Sequence, residues 1–236
     1  MAVVENKTPA LAAAPSGEWW WSGFGSRRVR AGVTNRQTRL AQLTSQLPAD
    51  TRLVHAGQVH GSSIAFIERP RIHEIVVSGC DALITGTVGT GLVIRTADCL
   101  PVFIQDSARE VIGIAHAGWR GLAARLPLRL VAAFRRLVHS RPEQLRVAIG
   151  PAIHACCYEV SESFGPEFEP FLQRREGRLT CDLIGAARAQ FEAAGIPADR
   201  CVDSGHCTGC EPDQWFSVRR EGDAAGRLFS LIVMHA

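Results

Sequence analysis

Three side chains carry the types from which a reactive centre is made. The thiol of Cys99 lies in Thr96-Ala97-Asp98-Cys99-Leu100-Pro101, one imidazole lies in His116-Ala117-Gly118-Trp119-Arg120-Gly121, and a second, His60, lies in Gln58-Val59-His60-Gly61. Brought together, they admit two chemistries. Two imidazole nitrogens and a thiolate suit Zn²⁺, and three protein ligands leave a fourth position open for water, as in catalytic zinc sites. Zinc so held lowers the pKa of its water to about 7. Alternatively, Cys99 is a nucleophile and His116 or His60 its base. Asp98, beside the thiol, could accept a proton from a ligand imidazole or from substrate, although strand neighbours point to opposite faces. Arg120 follows the glycine turn and could hold a phosphate through bidentate hydrogen bonds.

These residues need elements that converge. Val102-Phe103-Ile104 and Val111-Ile112-Gly113-Ile114-Ala115 are β-branched and aromatic, and the polar turn Asp106-Ser107-Ala108-Arg109 separates them, which predicts a hairpin of two buried strands. Antiparallel neighbours lie about 5 Å apart, so Cys99 and His116 flank adjacent strand ends. His60 follows the strand-like run Leu53-Val54-His55 and precedes Gly61, which permits close backbone approach.

Five strings occur in order: QVHG from Gln58, CDALIT from Cys80, TADCLP from Thr96, HAGWRG from His116, and IGPAI from Ile149 followed by CYEV ending at Val160. A late stretch adds CTGC, WFSVRR and GRLFS, ending at Ser230. Over residues 50–234 the chain resembles the bacterial multicopper polyphenol oxidase, or laccase-like, family, which includes purine nucleoside phosphorylases and a peptidoglycan editing factor. The resemblance implies that His60, Cys99 and His116 bind the metal and are needed for activity. It also implies a four-layer α/β/β/α fold with two mixed sheets face to face. In that family the segment near residue 26 carries a longer loop with paired glycines; here it is shortened to Ser26-Arg27-Arg28-Val29-Arg30.

Bulk properties narrow the function classes. At 236 residues and 46% hydrophobic content, with no shift in composition, one domain with a sizeable core is expected. Residues 1–16 are rich in Ala and Pro and read as a disordered lead-in, leaving residues 17–236 as a single catalytic domain. They lack the basic start and apolar core of a secretory signal. A net charge of +3 with scattered arginines argues against a nucleic-acid partner, and no run reaches the roughly 18 apolar residues that span a bilayer. Eight irregularly spaced cysteines without an export signal favour free thiols in the cytoplasm.

The remaining pattern is α+β. Strands are expected at residues 51–55, 63–67, 82–85, 91–96, 145–149, 215–218 and 228–234. Helices are expected from Thr34 or Asn35 to about Leu47, over 122–139 with Pro127 early or at a kink, in an acidic stretch from Ser161 that Gly165-Pro166 interrupts, and over 183–194 behind an Asp182 cap. Trp19-Trp20-Trp21 cannot all face one side of a first strand. His206-Cys207-Thr208-Gly209-Cys210 contains one C-x-x-C with no second at zinc-finger spacing, and reads as structural or accidental. The adjacent Cys156-Cys157 pair is not expected to converge on one metal. His55, His73, His139, His154 and His235 receive no role.

Three functions follow. The resemblance implies a zinc-dependent purine nucleoside phosphorylase acting on adenosine, inosine and S-methyl-5′-thioadenosine, with phosphate as co-substrate and adenosine deamination as a side activity; attack at purine C6 suits zinc-activated water. The second is a Cys/His amide hydrolase editing peptidoglycan precursors. The third, phenol oxidation by copper, is least favoured: Cu²⁺ could occupy the zinc site, but the sequence contains no His-x-His pair.

Overall fold

The computed structural model describes residues 9–24, 28–70 and 73–235. In chain order the strands are β1 (Ala10–Ala13), β2 (Trp19–Ser22), β3 (Val29–Val33), β4 (Arg52–Ala56), β5 (Ile64–Ile67), β6 (Glu74–Val77), β7 (Ala82–Thr85), β8 (Thr90–Thr96), β9 (Leu100–Asp106), β10 (Val111–Ala117), β11 (Arg146–Ile149), β12 (Leu172–Arg175), β13 (Arg178–Cys181), β14 (Cys201–Asp203) and β15 (Leu228–Met234). The helices are α1 (Leu40–Thr44), α2 (Trp119–Ala123), α3 (Leu126–Val138), α4 (Leu183–Ala193) and α5 (Val218–Glu221).

Among the described residues the strands form a seven-stranded sheet, ordered β1-β2-β3-β15-β8-β4-β6, and a six-stranded sheet, ordered β14-β11-β9-β10-β7-β5; β12 and β13 make a separate ribbon. Both large sheets are mixed: β8-β4-β6 is parallel in the first, as are β14-β11 and β7-β5 in the second.

Strand alternation builds the layers. In β8, Leu92 and Ile94 join Phe103, Ile112 and Ile114 of the second sheet in a shared core, whereas Val93 packs outward with Leu43 of α1 and Leu231. In β9, Phe103 faces the first sheet while Val102 and Ile104 pack with Leu130 and Phe134 of α3 and Phe191 of α4. The result is the expected four layers, helix on sheet on sheet on helix. Gly113 in β10 permits the outer contact, since a Cβ there would stand 3.1 Å from Phe134 Cε2. Among the described residues no helix is long and apolar enough to cross a membrane.

Several elements depart from the expected bounds. The lead-in anticipated for residues 1–16 includes β1, paired with β2; residues 1–8 lie outside the described residues. The helix expected from Thr34 begins at Leu40, because the Asn35 side chain accepts the Gln37 and Thr38 N–H groups and closes a turn instead. The helix expected over 122–139 is two helices, split at Arg125, whose φ is 59°, with Pro127 in the first turn of α3. Pro166 and Pro170 leave the acidic stretch from Ser161 as turns and a 3₁₀ segment, Pro166–Phe171. Residues 215–218 make no strand. Trp215 is buried with its indole N–H on Glu211, and Ser217 caps α5 by accepting the Arg220 N–H. The expected Asp182 cap of α4 is present, with Gly185 N donating to its carboxylate at 2.8 Å. Of the three tryptophans, Trp21 enters the inter-sheet core, Trp19 packs on Trp215 and His206, and Trp20 lies under the Arg30 guanidinium. The shortened loop near Arg28 falls partly on residues 25–27, outside the described residues.

Candidate functional site

The β9–β10 hairpin carries two of the three reactive side chains. His116 pairs with Pro101 and Ala117 with Leu100. Extending that register sets Gly118 opposite Cys99, and a Cβ on Gly118 would stand 2.8 Å from the Cys99 sulfur. The bare glycine therefore leaves the thiol its place, which any Cβ here would displace; its own φ of −80° suits any residue.

His60 arrives from the other sheet, in the loop that leaves β4. Gln58 ties that loop to β8 through both ends of its amide, donating to Arg95 O at 2.6 Å and accepting Arg95 N–H at 2.8 Å. Gln58 and His60 both hold left-handed backbones, with φ of 50° and 60°. Such conformations cost energy outside glycine and persist only where neighbours enforce them. Here the enforcing group is Asp81. Its carboxylate accepts the N–H groups of Val59, His60 and Gly61 at 3.2, 2.9 and 2.7 Å.

The same carboxylate orients the second imidazole. Asp81 immediately precedes β7, the strand that pairs with β10, so its carbonyl accepts His116 N–H at 2.7 Å and its Oδ1 accepts Nδ1–H of His116 at 2.9 Å. With Nδ1 committed as donor, Nε2 is the atom turned to the cluster, and the neutral ring offers its lone pair there. The two imidazole rings meet edge to face at 4.9 Å between centroids. One ligand-type atom from each of His60, Cys99 and His116 lies within 4.8 Å of the others. That donor set and spacing could hold a metal ion.

Electrostatics follow from this packing. Burial alone would push the Cys99 thiol up, but hydrogen bonds from His116 and His60 overcome it and bring the thiol down to about 7. Burial opposes a charged His116, yet Asp81 and Cys99 raise it to about 9. Asp81 is held below its ordinary value against its burial, by His116 and the loop N–H groups.

The other expected site residues are placed less directly. Asp98, with φ of 92°, spends both carboxylate oxygens on the fold: Oδ1 accepts the Thr208 hydroxyl and Oδ2 the Arg219 N–H, each at 2.7 Å. Arg120 is exposed and its guanidinium lies 4.4 Å over the Trp119 ring. Arg219 stacks 4.8 Å over Tyr158, and the Tyr158 hydroxyl, pushed up to about 12 chiefly by burial, feels the charges of Arg219, Cys99 and Arg120. Two residues escape a reading of the sequence alone. Asp81 sits in the CDALIT string without a chemical cue of its own, and Arg219 belongs to a basic pair that reads as surface charge.

One expectation is overturned outright. Cys156 and Cys157 do converge with each other and with Cys207 and Cys210 of the C-x-x-C. All eight cysteines are free thiols.

Comparison with known proteins places this architecture. The family described as multi-copper polyphenol oxidoreductase laccase matches residues 23–235. The chain belongs to this family. A relative named purine nucleoside phosphorylase, from Deinococcus radiodurans, is 39% identical over 205 residues, covering 85% of this chain and 76% of its own. Another, named adenosine deaminase RL5, from an unknown prokaryotic organism, is 34% identical over 204 residues, covering 80% and 78%. The family fold is equally plain in the crystal structure of YlmD from Geobacillus stearothermophilus, which superposes with a TM-score of 0.85 at 27% identity, over 97% of this chain and 100% of that one.

Proposed function

We propose that this chain is a zinc-dependent purine nucleoside phosphorylase, acting on adenosine, inosine and S-methyl-5′-thioadenosine with adenosine deamination as a side activity. The observation that carries the proposal is the convergence of His60, Cys99 and His116, with His116 oriented by a buried Asp81. Relatives named purine nucleoside phosphorylase and adenosine deaminase support it at the level of the family. Residues 17–236 would act as one catalytic domain. The eight free thiols fit a cytoplasmic setting.

His60, Cys99 and His116 fit zinc: the set is two imidazoles and a thiol already drawn toward the thiolate, with a carboxylate behind one ligand. Bound there, zinc supplies Lewis-acid stabilisation of developing negative charge. The chain's own residues supply the rest. Asp81 fixes the tautomer and direction of His116. Gly118 keeps the space beside the thiol clear. Arg120, over Trp119, offers guanidinium donors suited to phosphate, as does Arg219, over Tyr158, with the nitrogens that its bond to Glu159 O leaves. Asp98 enters as a positioning residue that holds the turn before Cys99, since its carboxylate is engaged by Thr208 and Arg219.

The deciding experiment measures metal content and phosphate-dependent release of hypoxanthine from inosine, in the wild type and in Cys99→Ala. Bound zinc and phosphate-dependent turnover, both lost at this site in the variant, support the proposal. Thiol-dependent amide hydrolysis without a need for metal overturns it. That outcome would promote a Cys/His amide hydrolase acting on peptidoglycan precursors, a reading favoured by the Cys99 thiol being held at about 7 beside two imidazoles.

A further inference from the structure

Four thiols outside this cluster meet where two loops cross. The first loop, after β11, carries Cys156 and Cys157; the second, after β14, carries Cys207 and Cys210. Their Sγ atoms all lie within 4.8 Å of one another. Cys156 stands 3.6 Å from Cys207 and 3.4 Å from Cys210, and Cys157 stands 3.4 Å from Cys210. A disulfide needs about 2.0 Å, so no pair is bonded. A tetrahedral zinc–thiolate shell, with Zn–S near 2.3 Å, has sulfur–sulfur edges of about 3.8 Å. The three spacings of 3.4–3.6 Å fall slightly short of such an edge, and the 4.8 Å limit on the others leaves room for it.

The local backbone explains how adjacent cysteines contribute together. Cys157 N and Tyr158 N both donate to His154 O, at 2.9 and 3.0 Å, so the chain turns as in a helix. Successive side chains are then about 100° apart, instead of on opposite faces as in a strand. The second loop is shaped to receive them. A Cβ on Gly209 would stand 2.6 Å from Cys157 Cβ and 2.7 Å from its sulfur, so only glycine fits between Cys207 and Cys210. His154 N–H points at Cys207 Sγ from 3.4 Å, and Cys207 N is in turn held by Glu211 at 3.1 Å.

We propose that Cys156, Cys157, Cys207 and Cys210 form a closed four-thiolate site for one zinc ion, separate in its residues from the His60–Cys99–His116 cluster. Its ligands are all protein sulfur, so its role is structural. Binding releases the thiol protons to solvent. The ion clamps the two loops, already joined where Ala152 N donates to His206 O and Thr208 N to Ala152 O. Both clamped loops then grip Asp98: Ile153 N donates to its carbonyl at 2.9 Å and Thr208 Oγ1 to its carboxylate at 2.7 Å. The site therefore braces the residue preceding Cys99.

The test uses the full chain with the first cluster removed, as His60→Ala/Cys99→Ala/His116→Ala, incubated with zinc and desalted. Elemental analysis is expected to find about one zinc per chain, as a closed four-sulfur site requires. Adding Cys207→Ser/Cys210→Ser is expected to abolish it. Should that variant fold poorly, two measurements on the parent keep the question open to refutation. Cobalt substitution is expected to give the thiolate charge-transfer and strong visible bands of a tetrahedral sulfur site, and a mercurial thiol reagent is expected to release the zinc to a chromogenic chelator. Absence of retained zinc with all four thiols freely titratable, or a disulfide among the four in the purified protein under non-reducing mass analysis, overturns the proposal.

Discussion

The carboxylate of Asp81 lies 2.9 Å from Nδ1 of His116 and 2.9 Å from the backbone nitrogen of His60, so one buried group fixes two histidines delivered by different sheets. It also holds the left-handed backbone of His60, whose φ is 60°, by accepting the N–H of that residue and of both its neighbours. Asp81→Asn keeps the shape but replaces an anionic acceptor with a neutral amide that must present its oxygen in several directions. A loss of about 10–100-fold in metal affinity or activity is expected, as for other groups that orient a metal-binding histidine. Competition with a chelator of known affinity measures it. Unchanged affinity would mean that His116 is oriented by its backbone alone.

Gly118 tests the space beside the thiol. Alanine is compatible with its backbone, φ −80° and ψ 176°, so the fold should tolerate Gly118→Ala, but the new Cβ would start 2.8 Å from Cys99 Sγ. The thiol must move by about 1 Å, a displacement that can cost about 100-fold in rate. Steady-state kinetics beside a thermal melt separates the effects. An equal loss in activity and melting temperature would locate the damage in packing.

How much of this was legible in the sequence depends on how local each signal is. The β9–β10 hairpin announces itself through β-branched runs around a polar turn, and its ends bring Cys99 and His116 together without further information. The β4 strand and the following glycine likewise place His60 near a strand end. What joins His60 to the hairpin is Asp81, twenty-one residues away in sequence, and nothing local marks it. The four-cysteine cluster is harder still. Cys156-Cys157 reads as a pair that must diverge if strand geometry is assumed, and only the turn on His154 O and the bare Gly209 let both thiols meet the C-x-x-C. The strand expected at 215–218 and absent there has a similar cause: the apolar Trp215 serves packing on Trp19, while Ser217 is a cap.

The titration of Cys99 gives a pH-dependent prediction in the chelator-treated protein. With the thiol near 7 and His116 near 9, a thiolate–imidazolium pair persists between those values. A thiol lowered on folding adds stability above its ordinary pKa, and that contribution fades as pH falls through about 7. An imidazole raised on folding adds stability below its ordinary pKa, lost as pH rises through about 9. Alkylation of Cys99 by iodoacetamide, followed on its own peptide by mass spectrometry, is expected to rise with a midpoint near pH 7. A midpoint in the ordinary thiol range of about 8.5 would mean that the imidazoles do not engage the sulfur.

Thr208 connects the cysteine loop to the turn before Cys99, and its hydroxyl is fully buried against Asp98. Thr208→Val preserves shape while removing the donor, leaving Asp98 Oδ1 buried without it. The expected cost is about 1–3 kcal/mol, the penalty for an unsatisfied buried acceptor. In a chain of this size each kcal/mol lowers the melting temperature by about 2–4 °C. Thr208→Ser retains the hydroxyl and should preserve the Asp98 contact, losing only what the methyl contributes to packing. If valine melts like wild type, the Asp98 turn is held by Arg219 N–H and Ile153 N–H without help. If serine melts as low as valine, the methyl and not the hydrogen bond is what the turn depends on.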